Sequence, residues 1–178
     1  MNILVLNGSP RKNGNVESAL KKEVEHFSKK HTGCSITWED ISSLNFDFCK
    51  GCMSCRSNKD CILKNDDAHK IAEEIKNCDI LFTGTPVYWG NMNGKLKSLF
   101  DRLVGILMAE SKTGIPKPLH KGKKAVIVTS CTTPFPFNYI CGQSTGAVKA
   151  VKEILKSSGF KIIRKVNISN TKNKEASK

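Results

Sequence analysis

Four cysteines fall in one short stretch, Cys49-Lys50-Gly51-Cys52-Met53-Ser54-Cys55-Arg56-Ser57-Asn58-Lys59-Asp60-Cys61, with the spacing C-x2-C-x2-C-x5-C. Bends at every third residue can turn successive sulfurs toward one point, and Gly51 eases the turn. Four local thiols of this kind suit a [4Fe–4S] cube. Zinc more often uses two separated C-x2-C knuckles. C-x2-C pairs are also competent for thiol redox chemistry, and a last reading is four half-buried thiols in an interface loop. Cys34, Cys78, Cys131 and Cys141 have no ligand spacing, and Cys34 and Cys78 read as small core residues.

Two further stretches carry chemistry. Asn7-Gly8-Ser9-Pro10-Arg11-Lys12-Asn13-Gly14-Asn15 joins an apolar run to a helical pattern. Small residues let a backbone fold around an oxyanion, and a helix start supplies free N–H groups and partial positive charge. Ser9 offers a hydroxyl, Arg11 and Lys12 offer charge, and Asn15 is a candidate helix cap. Neither G-x-G-x-x-G nor G-x-x-x-x-G-K-[ST] is present. The second stretch, Gly84-Thr85-Pro86-Val87-Tyr88-Trp89-Gly90-Asn91-Met92-Asn93-Gly94, sets two aromatic rings in a glycine-rich loop. Such rings beside a phosphate cradle suggest a flat apolar ligand.

The elements that must position these loops alternate. Asn2 to Leu6, Ser35 to Glu39, Ile80 to Thr83, Ala125 to Ser130 and Lys161 to Ile168 read as strands. Helices are expected around Val16–Phe27, Ala68–Ile75, Lys95–Met108 and Val148–Leu155, the last stopped by Gly159. Strict alternation with short buried strands implies a parallel sheet covered on both faces, in the doubly wound order 2-1-3-4-5. Ligands of such sheets bind outside the carboxyl ends of the strands where strand order reverses, which selects the loops after strands one, three and four.

Gly8-Ser9-Pro10-Arg11-Lys12-Asn13-Gly14-Asn15, Thr85-Pro86-Val87-Tyr88-Trp89-Gly90 and Leu96-Lys97 through Phe100-Asp101-Arg102 together resemble the NAD(P)H-dependent FMN reductase family. The resemblance implies an α/β, flavodoxin-like three-layer sandwich with a five-stranded parallel sheet. It implies an FMN phosphate at Ser9, Arg11, Lys12, Asn15 and Val16, although Val16 stands where the family usually has Thr. It places Pro86, Val87, Tyr88, Trp89, Gly90 and Asn91 along the isoalloxazine ring; Cys131, at the end of strand four, is expected to approach the flavin edge. The cysteine stretch resembles that of the iron–sulfur flavoprotein branch, which would make Cys49, Cys52, Cys55 and Cys61 the ligands of a [4Fe–4S] cluster. Similar cysteines followed by Asp66-Asp67 also occur in relatives not known to hold one. NAD(P)H or ferredoxin is the implied donor, and a homo-dimer or homo-tetramer the implied assembly.

The loop after strand four, Thr129 to Tyr139, is apolar and proline-rich and should border the ring's far side. Asp101 and Arg102 read as an ion pair that fixes the helix, without a catalytic role. His26, His31, His69 and His120 are dispersed and read as surface residues.

The chain has 178 residues, 39% hydrophobic and 25% charged, which fits one domain with one substantial core. Residues 1–169 form the expected FMN-binding unit, with a cysteine-rich loop at 45–65 and a polar tail at 170–178. No apolar run approaches the roughly 18 residues of a membrane span, and the start lacks a secretory pattern, so a cytoplasmic setting is expected. The net charge of +13 is uneven: residues 1–109 hold 15 basic and 13 acidic residues, and the remainder holds 14 and 3. A basic final third attracts anions, an acidic ferredoxin among them. A non-enzymatic binding module with a basic face is the rival reading. Nucleic acid is disfavoured because the lysines are scattered, without interleaved aromatics.

Overall fold

The computed structural model describes residues 1–111 and 113–172. In chain order the elements are β1 (Asn2–Asn7), α1 (Asn15–Lys30), β2 (Ser35–Asp40), α2 (Cys55–Asn58), α3 (Asp67–Asn77), β3 (Ile80–Pro86) and α4 (Gly94–Arg102). There follow α5 (Val104–Leu107), β4 (Met108–Glu110), β5 (Pro116–Pro118), β6 (Lys124–Ser130), α6 (Phe137–Ile140), α7 (Gln143–Ser158) and β7 (Lys161–Ile168). The main sheet has five parallel strands in the order β2-β1-β3-β6-β7. Counting only these strands gives the expected order 2-1-3-4-5; β4 and β5 form a separate antiparallel pair and shift the labels.

Period-two alternation divides the strand side chains between two faces. Leu4, Leu6, Leu81, Ala125 and Ile127 pack under α3, α4 and α7. Ile3, Val5, Ile80, Phe82, Val126 and Val128 pack under α1, through Val16, Leu20 and Val24. The central strands are thus apolar on both sides, which is why they read as unbroken runs. Gly159, at φ 97°, ends α7 in the left-handed region, where the missing Cβ removes the steric penalty.

The helix expected over Lys95–Met108 is broken. Its amphipathic stripe is real, but the Leu103 N–H bonds to both the Leu99 and the Phe100 carbonyls, and α4 ends at Arg102. A short α5 follows, and Met108 is already extended to pair with Pro118. Gly105 in α5 makes room for the cysteine stretch: a Cβ there would lie 2.7 Å from both the Cβ and the carbonyl oxygen of Cys55. His120 corrects another expectation. It is buried, with Nε2 2.8 Å from the Ile106 carbonyl and its ring stacked on Phe160. Cys78 is buried as expected, whereas Cys34 is only half-buried.

At the expected tail, Asn170 N–H donates to the Thr133 carbonyl (3.2 Å) and Thr171 N–H to that of Cys131 (3.3 Å). Thr171 is buried. Residues 173–178 lie outside the described residues. No helix among the described residues is long and apolar enough to cross a membrane.

One charged cluster sits between β2 and α3. Lys70 Nζ lies 2.7 Å from Glu39 Oε1 and 3.7 Å from Glu74 Oε1. Glu74 Oε2 is buried with no hydrogen-bond partner among the described residues. Burial, and then the nearby charge of Glu39, push the Glu74 carboxyl up to about 7. A carboxyl with a raised folded pKa contributes its full stability below its ordinary value of 4.5 and loses it as pH rises through about 7. Glu74→Gln should therefore raise the melting temperature at pH 8 and leave it nearly unchanged at pH 4. An equal shift at both values would contradict this ionisation account.

Candidate functional site

The carboxyl ends of β1 and β3 are drawn together by a backbone hydrogen bond, Gly8 N–H to the Gly84 carbonyl at 2.8 Å. A Cβ on Gly8 would lie 2.8 Å from that same oxygen, and one on Gly84 would lie 2.6 Å from Leu20 Cδ1. Both glycines are thus required by close approach. The seam opens into a cleft lined by Ser9, Arg11, Gly14, Asn15, Val16, Pro86, Val87, Tyr88, Ser130, Thr132 and Thr171.

One wall is polar. Ser9 N–H donates to Asn7 Oδ1 (3.2 Å), and Asn7 Nδ2 donates to Asp40 Oδ1 (2.8 Å), so β1 and β2 set the start of the loop. Arg11 N–H donates to Ser9 Oγ (3.2 Å), folding the loop back on itself. Asn13 N–H donates to Glu17 Oε2 (2.6 Å), anchoring the loop's far end on α1. Gly14, not Asn15, is the cap residue, and it makes no side-chain cap bond. The Gly14 carbonyl starts the helix by accepting from Ser18 N–H, which leaves the Asn15 side chain at the cleft. First-turn N–H groups lack intrahelical acceptors and add partial positive charge. Arg11 is the one charged side chain among the lining residues, and none is acidic.

The other wall is apolar, formed by Pro86, Val87 and Tyr88. Val87 N–H donates to the Ser130 carbonyl (2.8 Å), tying this loop to β6. Tyr88 and Asn91 exchange both backbone hydrogen bonds at 2.9 Å around Trp89 (φ 50°) and Gly90 (φ 72°). Two central residues at positive φ make a type I′ hairpin turn. It projects the Trp89 side chain fully into solvent. A Cβ on Gly146 would collide with the Gly90 carbonyl, so α7 seats directly against this turn.

Of the residues expected around one ligand, Ser9, Arg11, Asn15, Val16, Pro86, Val87 and Tyr88 line the cleft, whereas Lys12, Trp89, Gly90, Asn91 and Cys131 do not. Lys12 is exposed. Cys131 is buried, with its thiol 3.6 Å from Gln143 Oε1. Gly14 and Thr171 line the cleft without having been singled out as ligand residues, whereas Ser130 and Thr132 lie in the loop expected at the ring's far side. Ser130 and Thr132 follow from the end of the fourth sheet strand; Thr171 gave no signal beyond a polar tail.

The cysteine stretch is closed at its base. Asn45 N–H donates to Asp67 Oδ2 (2.5 Å), Asp67 N–H to the Asn45 carbonyl (3.2 Å) and Asp47 N–H to Asp66 Oδ2 (3.3 Å). Asp66 caps α3 and pairs with Arg102 through two contacts, 2.8 and 3.1 Å. The expected pairing within Asp101-Arg102 is therefore absent: Asp101 lies on the exposed side and pairs with Lys97, while Arg102 turns inward. Burial works against the Asp66 charge, but bonds from Arg102 and from the Asp47 and Ala68 N–H groups hold its carboxyl below the usual range.

Cys49 and Cys52 are exposed, and Cys55 and Cys61 half-buried. No three His, Cys, Asp or Glu among the described residues are gathered to hold a single metal ion. Burial pushes the Cys55 thiol up, and the neighbouring sulfurs of Cys49, Cys61 and Cys52 add to this.

Known proteins resemble this chain in both sequence and structure. An iron–sulfur flavoprotein of Clostridioides difficile (strain 630) is 33% identical over 102 residues, covering 57% of this chain and 45% of that protein. A Bacillus subtilis protein named for NAD(P)H-dependent, FMN-containing oxidoreductase activity is 31% identical over 106 residues, covering 57% and 51%. The chain thus spans about half the length of these curated relatives. The solved NAD(P)H:quinone oxidoreductase from Methanothermobacter marburgensis superposes with a TM-score of 0.75 over 96% of this chain and 85% of that one, at 16% identity, a likeness of fold alone. A family model described as flavodoxin-like fold matches residues 1–178. The chain belongs to this flavodoxin-like family.

Proposed function

We propose that the chain is an FMN-dependent oxidoreductase that takes electrons from NAD(P)H and passes them to an acceptor. The observation that carries this reading is the two-walled cleft: hydroxyls, an amide, Arg11 and a helix start on one side, and Pro86, Val87 and Tyr88 on the other. The polar wall suits a phosphate dianion because it has donors and no carboxylate. The cleft measures about 130 Å³, which suits the phosphate end of the cofactor. Its ring would then lie outward, toward the Tyr88–Asn91 turn.

Bound FMN would supply the redox chemistry, so no acid–base pair is required of the protein. Ser9, Arg11 and Asn15 hold and orient the phosphate. The I′ turn would present Tyr88 to the ring of bound FMN, where it would help exclude water. The full exposure of Trp89 is in keeping with a second subunit covering it, as in a homo-dimer or homo-tetramer. Residues 1–169 would form the FMN-binding unit. Eight unpaired thiols accord with a reducing, cytoplasmic setting.

A second reading adds a [4Fe–4S] cluster on Cys49, Cys52, Cys55 and Cys61, with ferredoxin as a donor. It is favoured by the C-x2-C-x2-C-x5-C spacing of the four thiols and by relatives named iron–sulfur flavoprotein. A cluster handles single electrons, which would suit a one-electron partner.

Asn15→Asp tests the phosphate wall. A carboxylate beside the phosphate should weaken FMN at least tenfold, about 1.4 kcal/mol. Riboflavin, which lacks the phosphate, should bind both forms equally, as followed by flavin fluorescence quenching. Equal losses for both ligands, or no flavin binding by the parent protein, would refute the assignment. Iron and acid-labile sulfide in anaerobically purified protein decide the second reading: about four irons per chain support it, and none refutes it.

A further inference from the structure

We infer that Arg102 is the positioning residue of the cysteine stretch, and that with Gly105 it fixes Cys55 and Cys61 in place, whereas Cys49 and Cys52 stay exposed and reactive. Where the stretch holds a cluster, this deepens the second reading above. The positioning itself rests only on contacts within the chain.

The Arg102 side chain is completely buried, and its guanidinium reaches three points of the 45–66 segment. Nε–H donates to Cys61 Sγ at 3.1 Å. Nη1 donates to the Asp47 carbonyl and to Asp66 Oδ2, both at 2.8 Å, and Nη2 donates to Asp66 Oδ1 at 3.1 Å. A planar fork with several donors in fixed directions can satisfy all of these; a single ammonium cannot. Cys61 is also held through its backbone. Asp66 N–H donates to His69 Nδ1 (3.2 Å), which assigns the proton to Nε2, and Nε2–H donates to the Cys61 carbonyl (2.9 Å).

Cys55 is fixed by contact instead. It opens α2, and α2 lies against α5 at Gly105, where any Cβ would clash with Cys55. Arg56 beside it pairs with Glu110 of β4. Cys49 and Cys52 are exposed, and the bonds to their sulfurs come from within the stretch: Gly51 N–H donates to Cys49 Sγ at 3.5 Å, and bonds from Ser54 hold the Cys52 thiol below its usual range. Two sulfurs are therefore placed by other elements of the scaffold, and two are exposed, with bonds from within the stretch itself. This division places Arg102 and Gly105 in the device, although neither is a ligand.

The test is site-resolved alkylation of the metal-free, folded chain, with rates for each cysteine taken relative to the urea-unfolded chain. In the parent protein Cys49 and Cys52 should react first, and Cys55 and Cys61 about tenfold more slowly. Arg102→Lys keeps a positive charge opposite Asp66 but loses the fork; it should bring Cys61 up to the rate of Cys49 while buried Cys78 stays protected. Gly105→Ala should release Cys55 and leave Cys61 slow. In iron-loaded protein Arg102→Lys should also lower the cluster's midpoint potential, because hydrogen bonds to sulfur raise it. Equal rates for all four cysteines in the parent protein would overturn the inference. So would an unchanged Cys61 rate in folded Arg102→Lys. If that variant does not fold, the parent ranking and Gly105→Ala still decide. These rates need neither flavin nor iron, so their outcome is separate from that of the flavoprotein reading.

Discussion

The contact on which the site depends is the Gly8–Gly84 seam. Two parallel strands and α1 converge there, with a 2.8 Å backbone hydrogen bond and no room for a Cβ on either glycine. Parallel strands carry their loops out at the same end of the sheet, so bringing β1 and β3 this close puts their following loops side by side. A polar loop that begins a helix then faces an apolar turn. The ligand cleft is the gap between them. Its geometry follows from sheet packing and not from any single binding residue.

The same logic explains what could be read from the sequence. Strands buried on both faces leave unbroken apolar runs, so Asn2–Leu6, Ile80–Thr83 and Ala125–Ser130 were visible, and with them the strand order. The cleft-forming loops carry small residues at fixed offsets from those runs, which made Ser9, Arg11, Pro86 and Tyr88 legible. What stayed hidden depends on three dimensions. The break at Leu103 lies inside a sound amphipathic pattern, and just beyond it Gly105 meets Cys55, a residue far away in sequence. Arg102 looked paired with its neighbour Asp101, yet adjacent helix positions point apart, and its partner Asp66 lies 36 residues away. Thr171 reaches the cleft because Thr133 and Cys131 accept backbone bonds from the chain beyond β7.

The cysteine stretch and the cleft are organised differently. The cleft is assembled by the sheet and is already shaped for a ligand. The cysteine stretch is an insertion between β2 and α3, closed at its base by Asn45, Asp47, Asp66 and Asp67. Its inner side is ordered by α4 and α5, through one buried arginine and one glycine, with His69 of α3 holding the Cys61 carbonyl. The basic final third adds a long-range field that favours acidic partners and weakens with salt.

The most direct test of the central claim is hydrogen–deuterium exchange of the full chain with and without FMN. Binding in the cleft should slow exchange in residues 8–17, 86–91 and 130–133 together, because those backbone segments enclose it, and should leave α3 unchanged. Protection confined to the basic C-terminal third, or absent from residues 8–17, would contradict the flavoprotein account.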